Sequence, residues 1–352
     1  MALVTAKKMS GKTRKIYIDY LRAAATVAVI FIHSTAAWYG RISEIDPISW
    51  WTANLLNAGS RFAVPVFVMI SGAVLLGRQM TVGDFYRKRA VRLVPPILFW
   101  SIFYLLFRIY KGMGQEELVR FLTVDFWSEG SAYVHLWYLS MFACLMLFVP
   151  FINSFVLGEK PSQTDLAVFL SAAALFFLLN TIADLARETS GIFMYWHLLF
   201  QWYIIYFIAG YYFDKYGESL SVKRILLALL IVLTVLLGAG TNFFLIEKYQ
   251  IVKDYLVLND KGIISFVLSM AVFLFFKKSA PAKGIALIAA VSANSFGIYL
   301  LHPMVLDLLS SVFYRFNLPG YAHIPAISLA TFALSYCGIA VMRKNSYLRQ
   351  IC

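Results

Sequence analysis

Runs of apolar residues, each long enough to cross a lipid bilayer, follow one another along most of this chain. A backbone in lipid has no water to pair with, so a crossing segment must satisfy its own N–H and C=O groups. A helix of roughly 20 apolar residues does this. That template predicts about ten helical spans. They fall at residues 17–39, 58–77, 92–110, 134–156, 164–183, 197–213, 225–246, 262–276, 285–305 and 324–342. The expected fold is all-α, a polytopic integral membrane protein. The apolar run behind Met1–Lys15 is too long for a signal-peptide core, so the first span is expected to be retained. Of the residues, 61% are hydrophobic and 14% charged, against about 25% charged in soluble domains. A water-soluble enzyme is excluded.

The loops choose the orientation. With the N-terminus inside, the inner segments hold 20 of the 31 basic residues and the outer loops hold nine, leaving Arg22 and Arg108 within spans. Basic residues collect on the cytoplasmic side, so both termini are expected there. The same asymmetry accounts for the net charge of +13; no soluble domain exists to carry a nucleic-acid patch, and no nucleic-acid partner is expected. The expected organisation is a basic segment at 1–15, one membrane domain at 16–343 and a cytoplasmic tail at 344–352. Cys144, Cys337 and Cys352 cannot make a disulfide framework. No metal-ligand motif appears, so no metal is predicted.

Ionisable groups inside a span are costly and become functional candidates. In the first span Arg22 and His33 are eleven residues apart, about three turns, and at 100° per residue they lie only ~20° apart on one face. Asp19 precedes Arg22 by one turn and can pair with it. A structural reading also fits: Asp19 and Arg22 at the headgroups, His33 a hydrogen-bonded core histidine. Lys88, Arg89 and Arg92 precede Pro95-Pro96 at the third span; guanidinium groups one turn apart can grip phosphates bidentately, or simply anchor the helix. Ser295-Phe-Gly-Ile-Tyr299-Leu-Leu-His302-Pro303 puts a histidine beside a helix-kinking proline, with Tyr299 one turn earlier. Arg61 is a rim anchor or a substrate contact. His135, in His-Leu-Trp-Tyr-Leu, and His197 fit an interfacial aromatic belt.

Five of these pieces in this order resemble the membrane-bound acyltransferase 3 family. They are the R-x10-H of Arg22 and His33, Pro65-Val-Phe-Val-Met-Ile-Ser71-Gly72, the basic Lys88, Arg89 and Arg92, the His135 motif and the Ser295–Pro303 motif. Within the family the chain looks like the enterobacterial-common-antigen and surface-polysaccharide O-acetyltransferase group. The resemblance implies transfer of an acyl group, usually acetyl, from cytoplasmic acyl-CoA to a hydroxyl of an envelope glycan or lipid-linked saccharide. It places the protein in the bacterial cytoplasmic (inner) membrane, with a second copy or glycan-assembly proteins as further partners. Arg22, Lys88, Arg89 and Arg92 then stand where CoA phosphates would arrive. His33 is general base or acyl carrier, Asp19 and Arg22 organise the donor side, and His302 assists as a second acid–base group or orients His33. Arg61, His135 and Tyr299 are acceptor-side candidates.

Two other classes compete. Buried His, Arg and Asp also suit a proton-coupled secondary transporter, although no matched pair of broken helices is visible in the sequence. A glycan flippase or export partner has as many spans and handles the same substrates.

Overall fold

The computed structural model describes residues 15–39, 41–126, 131–158, 171, 200–249, 262–281 and 283–352. Its regular elements are helices, with no strand among the described residues. In chain order they are α1 (Ile16–Tyr39), α2 (Pro47–Ser60), α3 (Ala63–Leu75), α4 (Val82–Tyr110), the short α5 (Gln115–Arg120), α6 (Trp137–Leu157), α7 (Phe200–Tyr216), α8 (Arg224–Tyr249), α9 (Ile263–Ser279), α10 (Ala286–Phe313) and α11 (Gly320–Met342).

Seven stretches among the described residues are long and apolar enough to cross a membrane: Ile16–Trp38, Pro47–Leu75, Val82–Tyr110, Trp137–Leu157, Arg224–Lys248, Ala286–Phe316 and Gly320–Met342. The 17-residue helices α7 and α9 cover the spans expected at 197–213 and 262–276. The span expected at 164–183 lies outside the described residues, as do His197 and the segment before Lys15.

The second span departs most from expectation. It was predicted to begin near residue 58 and instead begins at Pro47, as α2, then breaks at Arg61–Phe62 and continues as α3. Asp46 caps α2 by accepting the Ser49 N–H at 2.9 Å, and Pro47 fits the first helical position, where no N–H is needed. α2 carries Asn54 and Asn57, which a hydropathy window counts against a span, yet both are buried. Their amides are paired: Asn54 Nδ2 donates to the Ala239 carbonyl at 2.9 Å, Asn242 Nδ2 donates to Asn54 Oδ1 at 2.8 Å, and Asn57 Nδ2 donates to Thr35 Oγ1 at 2.9 Å. Paired in this way, polar side chains join helices within a membrane.

α1 is the central element, packing against α2, α3, α9, α10 and α11. Its Lys15 end is tied down by charge. The Lys15 ammonium and the Tyr17 hydroxyl both donate to the Asp214 carboxylate of α7, and Lys277 of α9 sits 4.6 Å above the Tyr17 ring. α4 starts earlier than predicted, at Val82, so Lys88, Arg89 and Arg92 lie on its first turns ahead of Pro95 and Pro96. The expected tail is held in place: Leu348–Ile351 form a 3₁₀ turn, and the Ile351 carbonyl accepts from Trp100 Nε1 at 2.8 Å.

Candidate active site

Three histidines from distant parts of the chain converge inside the bundle. The His33 ring of α1 and the His302 ring of α10 have centroids 5.1 Å apart. His135, in the 3₁₀ turn Val134–Leu136 that opens α6, lies 5.8 Å from His302. His302 and His135 are buried, and His33 is partly exposed.

The proline after His302 explains the state of that ring. In a helix the N–H at position 303 would bond to the carbonyl of Tyr299, but Pro303 has none. His302 Nδ1 takes that place, 2.7 Å from the Tyr299 carbonyl oxygen. A carbonyl can only accept, so Nδ1 carries the proton and Nε2 carries the lone pair. Nε2 is buried, with no hydrogen-bond partner among the described residues. A buried, unpaired imidazole nitrogen of fixed tautomer, on a ring packed beside a second histidine, is a ready acceptor for a proton.

The other candidates surround this pair. The Tyr299 hydroxyl donates to the His135 carbonyl, and Tyr104 packs edge-on to His135 at 4.9 Å while donating to the Leu300 carbonyl at 2.7 Å. Arg61 is expected at the rim, as an anchor or a substrate contact. The structure buries it at the α2–α3 break, where its charge acts on His33. Arg61 Nε donates to Asn57 Oδ1 at 2.8 Å, so the chain Arg61–Asn57–Thr35 fixes the guanidinium against α1. Arg22, three turns before His33, acts electrostatically on Tyr138, whose ring packs 5.6 Å from Tyr299. Asp19 Oδ1 accepts from Ser292 Oγ of α10 at 2.7 Å, which ties the two histidine-bearing helices together below the site.

The basic candidates form a separate group. Lys88 and Arg92 are exposed, and Arg89 is partly buried with its guanidinium 5.7 Å above the Phe85 ring. Arg89 feels the charges of both Arg92 and Arg78. Arg78 belongs to no motif in the sequence, and its place in the cluster comes from a turn. Asn153 of α6 accepts from the Gly77 N–H and donates to the Arg78 carbonyl, both at 2.8 Å. Arg78, Arg89 and Arg92 together give the turn before α4 and its first turns a local excess of positive charge. A cavity of about 470 Å³, lined by Gln79, Thr81, Asn153 and Ser154 among others, opens beside it. Among the described residues no group of His, Cys, Asp and Glu could hold a metal ion.

The sequence matches the acyltransferase domain family over residues 15–340. The chain belongs to the acyltransferase 3 family. It is 21% identical over 347 residues to the O-acetyltransferase OatA of Staphylococcus aureus, covering 89% of this chain and 54% of that protein. It is 29% identical over 154 residues to a probable poly-beta-1,6-N-acetyl-D-glucosamine export protein of Staphylococcus epidermidis, covering 43% of this chain and 41% of that one. The chain therefore spans about half, or less, of the length of these relatives. No solved structure matches it significantly. The family match contains every candidate named above, from Asp19 to His302.

Proposed function

We propose that the protein is a membrane O-acyltransferase that moves an acyl group, most simply acetyl, from cytoplasmic acyl-CoA to a hydroxyl of an envelope glycan. The observation that carries this reading is the unpaired Nε2 of His302, on a ring whose centroid is 5.1 Å from that of His33, inside an acyltransferase-family bundle. The acceptor hydroxyl enters between the two imidazoles and gives up its proton to a ring nitrogen. Its oxygen attacks the thioester carbonyl, the C–S bond breaks, and the CoA thiolate leaves and recovers that proton. His33 is the base that meets the acceptor, and His302 holds it in register and shares the proton. Arg61, positive and buried beside His33, stabilises negative charge on the carbonyl oxygen. Arg78, Arg89 and Arg92, with Lys88 at the rim, hold the CoA phosphates. Arg22 and Asp19 line the way between the two regions. The basic balance of the loops supports an orientation with that arginine end in the cytoplasm of a bacterial cell and the histidine site towards the outer leaflet.

The name of the Staphylococcus epidermidis relative favours a second reading, glycan export. Supplying membranes with labelled acetyl-CoA separates the two. Label is expected in the glycan fraction, dependent on this protein; glycan movement with no acyl-CoA dependence would establish export instead. In the same assay, Arg89→Ala combined with Arg92→Ala should raise the KM for acetyl-CoA about 10–100-fold. A lost charge-assisted hydrogen bond costs ~1.5–3 kcal/mol and 1.4 kcal/mol is a factor of ten. An unchanged KM in a folded variant would return both residues to the role of helix anchors.

A further inference from the structure

A second polar cavity opens at the end of α1 that lies beyond His33. It measures about 370 Å³, the small end of the range for ligand sites. Its walls come from the α1–α2 loop and from the start of α11. Trp38, Tyr314 and His323 form an aromatic corner: the His323 ring lies 5.2 Å from Trp38 and 5.3 Å from Tyr314. Arg41, Asp46 and Asn317 supply polar groups around it.

The corner is built by the backbone. Asn317 adopts a left-handed conformation, φ 46°, that ends the 3₁₀ turn Tyr314–Phe316 and turns the chain into α11. Gly320 follows, and a Cβ there would stand 2.7 Å from both the Trp38 ring and the Ser49 side chain. Only glycine lets α11 start this close to Trp38, so the Trp38 ring is held in place. His323 is buried and Tyr314 is about half exposed, at 53%.

The chemistry of the walls selects the ligand. Flat aromatic rings with polar groups at their edges suit the apolar C–H face and the hydroxyl rim of a sugar ring. Arg41 is ion-paired with Glu44 at 2.7 Å, so it adds no free positive charge to the lining, and hydrogen bonds from Ser49, from its side chain first and then its backbone amide, hold the Asp46 carboxyl below the usual carboxylate range. A lining without basic excess gives no preference for a phosphate headgroup, which would call for several basic residues. Trp38 lies five residues past His33, ~7.5 Å further along the helix axis, within the reach of a short oligosaccharide.

We infer that this cavity is a saccharide subsite: it holds a neutral sugar residue of the acceptor glycan, next along the chain to the residue whose hydroxyl meets His33. The inference rests on the acyl-acceptor reading above and adds a specificity site to it. The test is saturation-transfer NMR on the protein in lipid nanodiscs, with tetrasaccharides of N-acetylglucosamine, glucose, galactose and mannose as probes. At least one should bind the wild type. Its affinity should fall tenfold or more in Trp38→Ala and in Tyr314→Ala, be largely kept in Trp38→Phe, and be unchanged in Tyr347→Ala, whose side chain is 81% exposed. Tyr314 is exposed enough that its loss leaves the fold intact. The subsite is overturned if none of the four binds, or if binding survives both alanine variants. Acetyl transfer measured in parallel separates this result from the reading it rests on. Transfer with an acceptor KM indifferent to Trp38 and Tyr314 removes the subsite alone. Sugar binding that follows those two residues, with no transfer from acetyl-CoA, removes the acyltransferase assignment and leaves the subsite standing.

Discussion

Replacing His33 with alanine should lower acyl transfer to the glycan by ~10²–10⁴-fold, the usual contribution of a positioned general base. The loss should fall on kcat, with the KM for acetyl-CoA nearly unchanged, because the arginine group proposed to hold the donor is a separate cluster around Arg89. His33 is partly exposed and its ring packs beside that of His302, so the variant should fold. His302→Ala should be less clean. It removes the ring that holds His33 in register and shares the proton, and it also leaves the Tyr299 carbonyl unpaired inside the helix, since Pro303 cannot supply the missing N–H. Labelled acetyl-CoA and membranes carrying each variant are sufficient to measure both. Transfer by His33→Ala at more than a tenth of the wild-type rate would remove His33 from the chemistry and leave His302 as the sole base.

What could be read beforehand follows from which forces are local. Apolar run length dictates spans because the bilayer penalises every unpaired backbone group, and α1, α6, α8, α10 and α11 lie close to where that rule puts them. Helical periodicity puts Arg22 and His33 on one face of α1 for the same local reason. The α2–α3 break was hidden because hydropathy cannot see partners. Asn54 and Asn57 look too polar for lipid until Ala239, Asn242 and Thr35 are known to face them. Arg61 reads as a rim residue for the same reason, since a charge near a span boundary looks like an anchor until its buried partner Asn57 is known. Arg78 needed Asn153, which lies 75 residues further along and holds its turn. The ring of tyrosines was equally hidden: Tyr104 and Tyr138 match an interfacial belt by composition, and only their packing against His135 and Tyr299 sets them apart. The His-Pro pair at 302–303 carried more information than a sequence motif conveys. The proline removes one N–H, and the histidine beside it supplies the replacement, which fixes the ring's tautomer.

The crossing of α3 and α7 should be the least forgiving place in the fold. A Cβ on Gly210 would lie 1.9 Å from the Met69 carbonyl oxygen, and one on Gly72 would lie 1.8 Å from that of Phe207. Both obstacles are backbone, which cannot rotate aside as a side chain can, so Gly210→Ala must push the two helices apart. Close backbone approach through small residues is how membrane helices gain contact, since lipid supplies no hydrophobic drive between them. Separation therefore forfeits packing along the whole crossing. The expected cost is about 3 kcal/mol or more, at or above the top of the usual overpacking range, read as a lowered thermal midpoint of the purified protein. Gly240→Ala is the matched control. It lies in α8 with nothing within 4 Å of its new Cβ, so alanine there should stabilise by about 0.5–1 kcal/mol through helix propensity. Equal midpoints for the two variants would show that the α3–α7 approach is not a constraint on the fold. The crossing also bears on catalysis, because α3 begins two residues after Arg61. Any Gly210→Ala protein that still folds should transfer acyl groups more slowly than its folded fraction accounts for, as Arg61 is drawn away from His33.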